Sequence, residues 1–268
     1  MSSHPENWPY PRWIAHRGAG KLAPENTLAA FRMGASLGYT MFECDVKLSA
    51  DDVPFLMHDT TLHRTTNALG QLGTASSMVG GDHTWGTLSQ LDAGSWHSSA
   101  FAGEPIPCLA TIAHYCIRNG FFLNIEIKPT PGFAYKTGLI VAQHAAQLWQ
   151  GASAAPLLTS FDTEALLAAQ NAEPQLPRGL LLESLESDWL ESALALDCAA
   201  IICEQSLWTH DSMALAKDAG LRTLSYTVND EASAQRLIQL GLDSIITDRV
   251  DLFPAPTSEA IHSRGCRR

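Results

Sequence analysis

MFECDVKLSADDVPFLMHD, residues 41–59, holds two apolar runs separated by a short polar turn. The first run carries Glu43 and Asp45, two positions apart. On a strand they share one face while Cys44 takes the other. Two carboxylates side by side on an otherwise apolar strand are costly without a positive partner, either a metal or a basic side chain. Only residues 49–53 separate Leu48 from Pro54. A parallel crossover needs about a dozen residues or more, so the two runs are expected to form an antiparallel hairpin. With the turn centred on Asp51 and Asp52, His58 is expected opposite Asp45, beside the carboxylate pair.

Outward from this hairpin the chain alternates apolar runs with helical patterns. Trp13–Gly18 reads as a short strand ending in polar residues. Pro24-Glu25-Asn26-Thr27 then opens a helix through Leu28, Phe31 and Ala35, with Gly38 after its end. Beyond residue 120 the alternation is regular. Leaving out the hairpin's return arm, strands are expected to start at 13, 41, 121, 157, 179, 199, 221 and 244. Strands alternating with helices indicate a parallel sheet, and this number fits a TIM-like (β/α)8 barrel. Counting 53–58 as a barrel strand would give one too many. The whole chain, 1–268, is expected to be a single domain. Residues 60–107 have little sustained periodicity beyond a short helix around Leu88 and Leu91. A stretch that long inside a regular fold is commonly functional, and Trp85, Trp96 and Phe101 argue against disorder. A short helix is expected near Val250–Phe253, and 254–268 reads as a loose tail.

The bulk composition fits a large core: 46% of the 268 residues are hydrophobic. A net charge of −11, from 17 basic and 28 acidic residues, with no basic tract, argues against nucleic-acid binding. An anionic substrate would need local positive charge or a metal to override that field. No secretory signal or membrane-spanning run is evident, so no membrane insertion is expected, and the chain reads as cytoplasmic. Six cysteines without zinc-type spacing read as reduced, mostly buried thiols. The oligomeric state leaves no mark in the sequence.

In such barrels the chemistry sits at the C-terminal ends of the strands. The first strand ends in His16 and Arg17, the second in Glu43 and Asp45, and the hairpin returns His58. The third ends in Glu126 and Lys128, again co-facial. Three carboxylates without thiolates suit a hard divalent metal, Mg2+ or Ca2+. A formal tally of about −3 from the carboxylates, +2 from the metal and +2 from Arg17 and Lys128 leaves a site positive enough for a phosphate monoanion. Two histidines, with unperturbed pKa about 6.5, can serve as general base and general acid. Cleavage of a phosphodiester uses all of these parts.

The motifs HRG (16–18), PENT (24–27), ECD (43–45), HD (58–59), EIK (126–128) and the late YTVN and IITD resemble the glycerophosphodiester phosphodiesterase family. The layout is similar to its short cytoplasmic bacterial members. The resemblance implies a TIM-like barrel, a divalent metal, and hydrolysis of deacylated phospholipid head-group diesters to sn-glycerol 3-phosphate and an alcohol. It implies that His16 and His58 form the acid/base pair, that Glu43, Asp45 and Glu126 bind metal, and that Arg17 and Lys128 hold phosphate. It also implies that segment 60–107 caps the site and contacts the glycerol end. Two departures are Tyr226, where many relatives carry Trp, and Arg249-Val250, where an aromatic and a proline are common.

Plainer readings exist for single residues. Glu43 and Asp45 could be ion-pair partners of Arg17 and Lys128 alone, and His58-Asp59 a turn pair. Helix initiation accounts for Glu25 and Asn26. Trp85, Trp96 and Trp208 read as packing, and the other histidines as surface or packing residues. Two alternatives remain for the whole: a lysophospholipase D-like phosphodiesterase on the same barrel, and a non-catalytic phosphodiester-binding barrel.

Overall fold

The structure, a computed structural model, describes residues 8–253. Its strands are β1 (Trp13–Ala15), β2 (Met41–Leu48), β3 (Pro54–Leu56), β4 (Phe122–Ile127), β5 (Leu157–Ser160), β6 (Arg178–Leu182), β7 (Ala200–Glu204), β8 (Arg222–Tyr226) and β9 (Ser244–Thr247). Its helices are α1 (Leu28–Ser36), α2 (Ala68–Leu72), α3 (Trp85–Leu88), α4 (Leu109–Asn119), α5 (Ala134–Leu148), α6 (Thr163–Ala172), α7 (Trp189–Ala195), α8 (His210–Asp218) and α9 (Glu231–Leu240). All strands but β3 pair in parallel, and β1 joins both β9 and β2, which closes an eight-stranded TIM barrel. Strand β3 pairs only with β2, antiparallel, and stands outside the ring.

Strand alternation sorts the barrel residues into two environments. Ile14, Met41, Leu157, Leu181, Ala200, Ile202, Leu224 and Ile246 form one buried cluster, which Tyr10 joins. Phe42, Cys44, Val46 and Leu48 of β2 pack the other way, among Phe31, Ile112, Cys116 and Val141 of the helical layer. The Met41 side of β2 therefore continues into Glu43, Asp45 and Lys47, all nearly fully buried. The register places Asp45 beside Glu126 across β2 and β4.

The hairpin differs from expectation by one residue. Val46 pairs with Leu56 and Leu48 with Pro54, so Met57, not His58, stands opposite Asp45, donating its N–H to the Asp45 carbonyl at 3.0 Å. The cause is the turn. Ser49 N–H donates to Val53 O, and Asp52 adopts φ 64, which gives a three-residue loop centred on Asp51. An odd loop length shifts the register by one. His58 therefore lies beyond the strand end, in the connection to the insertion.

The insertion is folded. Leu62, Ala68, Leu88, Leu91, Ala93 and Ile106 pack on Phe55 and Met57 of the hairpin arm in a cluster of their own. It returns beside β3, where Leu56 N–H donates to Pro107 O. Helix α3 stops at Leu88, short of Leu91, and α2 was not foreseen. Near Val250 the chain makes a single turn, with Leu252 and Phe253 N–H both directed at Arg249 O, and no helix. Five cysteines among the described residues are free thiols, four of them buried. The expected tail and Cys266 lie outside the described residues. Among the described residues no helix is long and apolar enough to cross a membrane.

Candidate active site

The polar residues gather at the C-terminal mouth of the barrel. Just past β1 the chain turns sharply, with Arg17 at φ 50 and Gly18 at φ 101. This aims His16 inward and leaves the Arg17 N–H donating to Glu43 Oε2 at 2.9 Å. His16 Nε2 is 3.8 Å from the same oxygen, and its Nδ1 is 2.7 Å from Asp248 Oδ1. Asp248, just after β9, is fixed by Asn229, whose Nδ2 donates to Asp248 Oδ2 at 3.0 Å. Glu43, Asp45 and Glu126 each offer an oxygen within 4.8 Å of the others.

Charges around this triad oppose one another. The Arg17 Nε lies 3.3 Å from Asp45 Oδ2, and Lys128 Nζ lies 3.5 Å from Asp45 Oδ1. Lys128 also donates to Glu126 Oε1 at 2.9 Å. Burial pushes Asp45 up, but Arg17, Lys128 and His58, together with a hydrogen bond from Asn26, outweigh it and hold the carboxyl at about 2. For Glu43 the balance goes the other way: burial and then the Asp45 charge, with Glu126 adding to them, outweigh His16 and Arg17 and push it up to about 8. Glu126 is also raised, by burial and Asp45, against the pull of Lys128. The two imidazoles move in opposite directions. Burial pulls His16 down, yet the Asp248 hydrogen bond and Glu43 leave it raised. His58 is lowered by burial, with Arg17 adding to it against Asp45.

A divalent metal fits this donor set. The buried Glu43 Oε1 has no hydrogen-bond partner. An unpaired buried carboxylate oxygen is costly, and two further carboxylates converge beside it. All-oxygen donors match a hard cation.

The seven expected residues, His16, Arg17, Glu43, Asp45, His58, Glu126 and Lys128, thus converge on one mouth, although His58 arrives by a loop and not by strand register. Other contributors were missed. Asn26 is buried at φ 59, and its amide donates to Asp45 Oδ2 at 2.8 Å and accepts from Asp45 N at 3.1 Å. Only Thr27 of the PENT motif caps α1, accepting from Ala30 N. Glu25 instead accepts from Arg17 and from Arg64, and Arg64 also donates to Asp59, which holds His58 Nδ1 at 2.8 Å. Lys47 is buried and donates to Lys128 O at 3.0 Å. The position of Asn26 in a motif longer than a cap requires was the one available signal. Glu204, by contrast, accepts from Ser206 N and stays local.

Two walls flank the mouth. A cavity of about 500 Å³ runs from His16, Arg17 and Asp248 to Trp96 and His97 of the insertion. On another side Phe161 meets the Tyr226 ring edge-on at 5.6 Å and lies 5.8 Å from Lys128 Nζ.

Residues 16–252 match the glycerophosphoryl diester phosphodiesterase family. A glycerophosphodiester phosphodiesterase of Caldanaerobacter subterraneus is 31% identical over 240 residues, covering 88% of this chain and 93% of the relative. Among solved structures, an Oleispira antarctica phosphodiesterase in complex with the product sn-glycerol-3-phosphate is 32% identical, with a TM-score of 0.80 over 94% of this chain and 97% of that one. A glycerophosphodiester phosphodiesterase from Agrobacterium tumefaciens is 27% identical, with a TM-score of 0.73 over 92% of this chain and 100% of that one. With its motifs, its closed barrel and these relatives all in agreement, the chain belongs to the glycerophosphoryl diester phosphodiesterase family and is an enzyme of that class.

Proposed function

We propose that the protein hydrolyses deacylated phospholipid head-group diesters, such as glycerophosphocholine or glycerophosphoethanolamine, to sn-glycerol 3-phosphate and an alcohol, in a metal-dependent reaction. The observation that carries this reading is the buried carboxylate triad with its unpartnered Glu43 oxygen, set between two cations and two aspartate-held imidazoles. The relative crystallised with sn-glycerol-3-phosphate supports the product.

Glu43, Asp45 and Glu126 would hold Mg2+ or Ca2+, which supplies polarisation of a phosphoryl oxygen and neutralises developing charge. Arg17 and Lys128, each already turned toward Asp45, present positive charge to the phosphate. Asp248 and Asp59 each fix an imidazole through Nδ1 and leave Nε2 for the reacting side. Water attacks directly, or the adjacent glycerol hydroxyl attacks first to give a cyclic phosphate that water then opens; in each step the attacking oxygen loses its proton to one imidazole. The other imidazole protonates the leaving alkoxide. Trp96 and His97 of the insertion line the cavity beside His16 and Arg17, where the substrate would enter.

The test is product release by the chelated and re-metallated protein, followed by phosphorus NMR on glycerophosphocholine, glycerophosphoethanolamine and their lyso counterparts. The reading expects sn-glycerol 3-phosphate from the deacylated diesters only when metal is restored. It expects no turnover by His16→Ala or His58→Ala. Turnover confined to lyso substrates, or absent altogether, refutes it.

A further inference from the structure

The insertion reaches both His58 and Arg17 through the guanidinium of Arg64. Arg64 lies eight residues past β3, among the first residues of the inserted segment. Its Nε and Nη2 form a fork on Asp59, at 2.7 and 2.9 Å. Its Nη1 and Nη2 form a second fork on Glu25, at 2.7 and 2.7 Å. Each of those carboxylates also grips a residue of the site. Asp59 Oδ1 is 2.8 Å from His58 Nδ1, and Glu25 Oε1 accepts from Arg17 Nη1 at 2.8 Å. The chain of contacts therefore runs His58, Asp59, Arg64, Glu25, Arg17, and on to Asp45 at 3.3 Å.

We infer that Arg64 is a positioning residue that sets His58 and Arg17 together, so that docking of the insertion completes the site. The inference rests on the functional reading above. Four of the five guanidinium N–H groups are spent on the two carboxylates. Arg64 is thus occupied as a clamp and is not free to grip phosphate. Its side chain is 44% exposed, and an ion pair so open to water adds little to folding. The geometry instead fixes orientation, because a planar guanidinium constrains both partners in angle and a lysine ammonium cannot span both forks. Without Arg64, Asp59 can rotate and release the Nδ1 of His58. Glu25 is then held only by Arg17 and draws that cation away from Asp45. Misplacement of a reacting group by about 1 Å costs on the order of 100-fold in rate.

The test is steady-state kinetics of the full chain, metal-loaded, on glycerophosphocholine, with inorganic phosphate as a competing anion. The variants are Arg64→Lys, Asp59→Asn and the two combined. Arg64→Lys is expected to lower kcat by about 10- to 100-fold and to weaken phosphate inhibition several-fold, with its melting temperature unchanged. If Arg64 acts through Asp59, the double variant falls no more than about twofold below the worse single variant. A merely structural role would move the melting temperature and leave kcat of the folded fraction alone. Should Arg64→Lys keep the parent kcat and phosphate inhibition, or should the two losses multiply, the inference is overturned while the functional reading stands. Absence of turnover in the unsubstituted protein overturns both.

Discussion

If the triad holds the proposed metal, binding should displace a proton, and Glu43 is the ligand expected to give it up. Glu43 sits at about 8 in the metal-free protein because burial and the Asp45 charge disfavour its ionised form. Asp45, held at about 2, is already ionised throughout the neutral range. Between pH 8 and pH 6 the cost of removing the Glu43 proton grows toward about 1.4 kcal/mol per unit, so the apparent dissociation constant of Mg2+ should weaken by roughly 50-fold over the two units. Glu126, raised in the same direction, steepens the acid side. The stability sign follows. As pH climbs from the ordinary value of 4.5 toward 8, an unfolded chain loses this proton and the folded metal-free protein keeps it. Metal-free stability from this group therefore declines over that window. The cation replaces the proton, so metal-induced thermal stabilisation is larger at pH 8 than at pH 6. Titration calorimetry in two buffers of different ionisation enthalpy counts the protons released, and about one per metal is expected near pH 6.5. Glu43→Gln should bind more weakly with a flattened slope. Equal affinities at pH 6 and pH 8 with no proton released would refute the reasoning.

Asn26→Ala removes a buried donor and acceptor from Asp45. It should cost about 1–3 kcal/mol by denaturant unfolding and weaken metal binding in titration. Asp248→Asn frees the Nδ1 of His16 and should lower kcat by about 100-fold or more at little change in KM, read from initial rates. Gly20→Ala should be severely destabilising: at φ +55 its Cβ would fall 2.1 Å from Asp248 O, displacing the loop that orients His16, which thermal unfolding and turnover would both report. Thr27→Ala should cost about 1 kcal/mol by loss of the α1 cap while leaving kcat unchanged.

The barrel was legible because its information is local. Alternation of apolar runs with helical patterns marked the strands, and a connection too short for a crossover removed β3 from the ring. The triad was legible for the same reason, since Glu43 and Asp45 share a face by strand period alone. The His58 register failed because one residue of turn length, set by the conformation of Asp52, is invisible in composition. Asn26 was read as helix initiation because its role depends on a left-handed backbone and on a partner 19 residues away. The pairing of Asp248 with His16 spans 232 residues and exists only once the barrel closes. Arg64 escaped notice because an arginine in an aperiodic loop has the same appearance whether it is solvated or clamps two carboxylates.

The claim that organises the whole account is that one divalent cation sits between Glu43, Asp45 and Glu126 beside the scissile phosphate. Crystals grown with Mn2+ and sn-glycerol 3-phosphate test it directly through an anomalous difference map. The account predicts a single strong peak within about 2.0–2.6 Å of oxygens from all three carboxylates, with the product phosphate next to Arg17 and Lys128. Phosphate bound at the mouth with no peak at the triad, in protein that still turns over substrate, would contradict it.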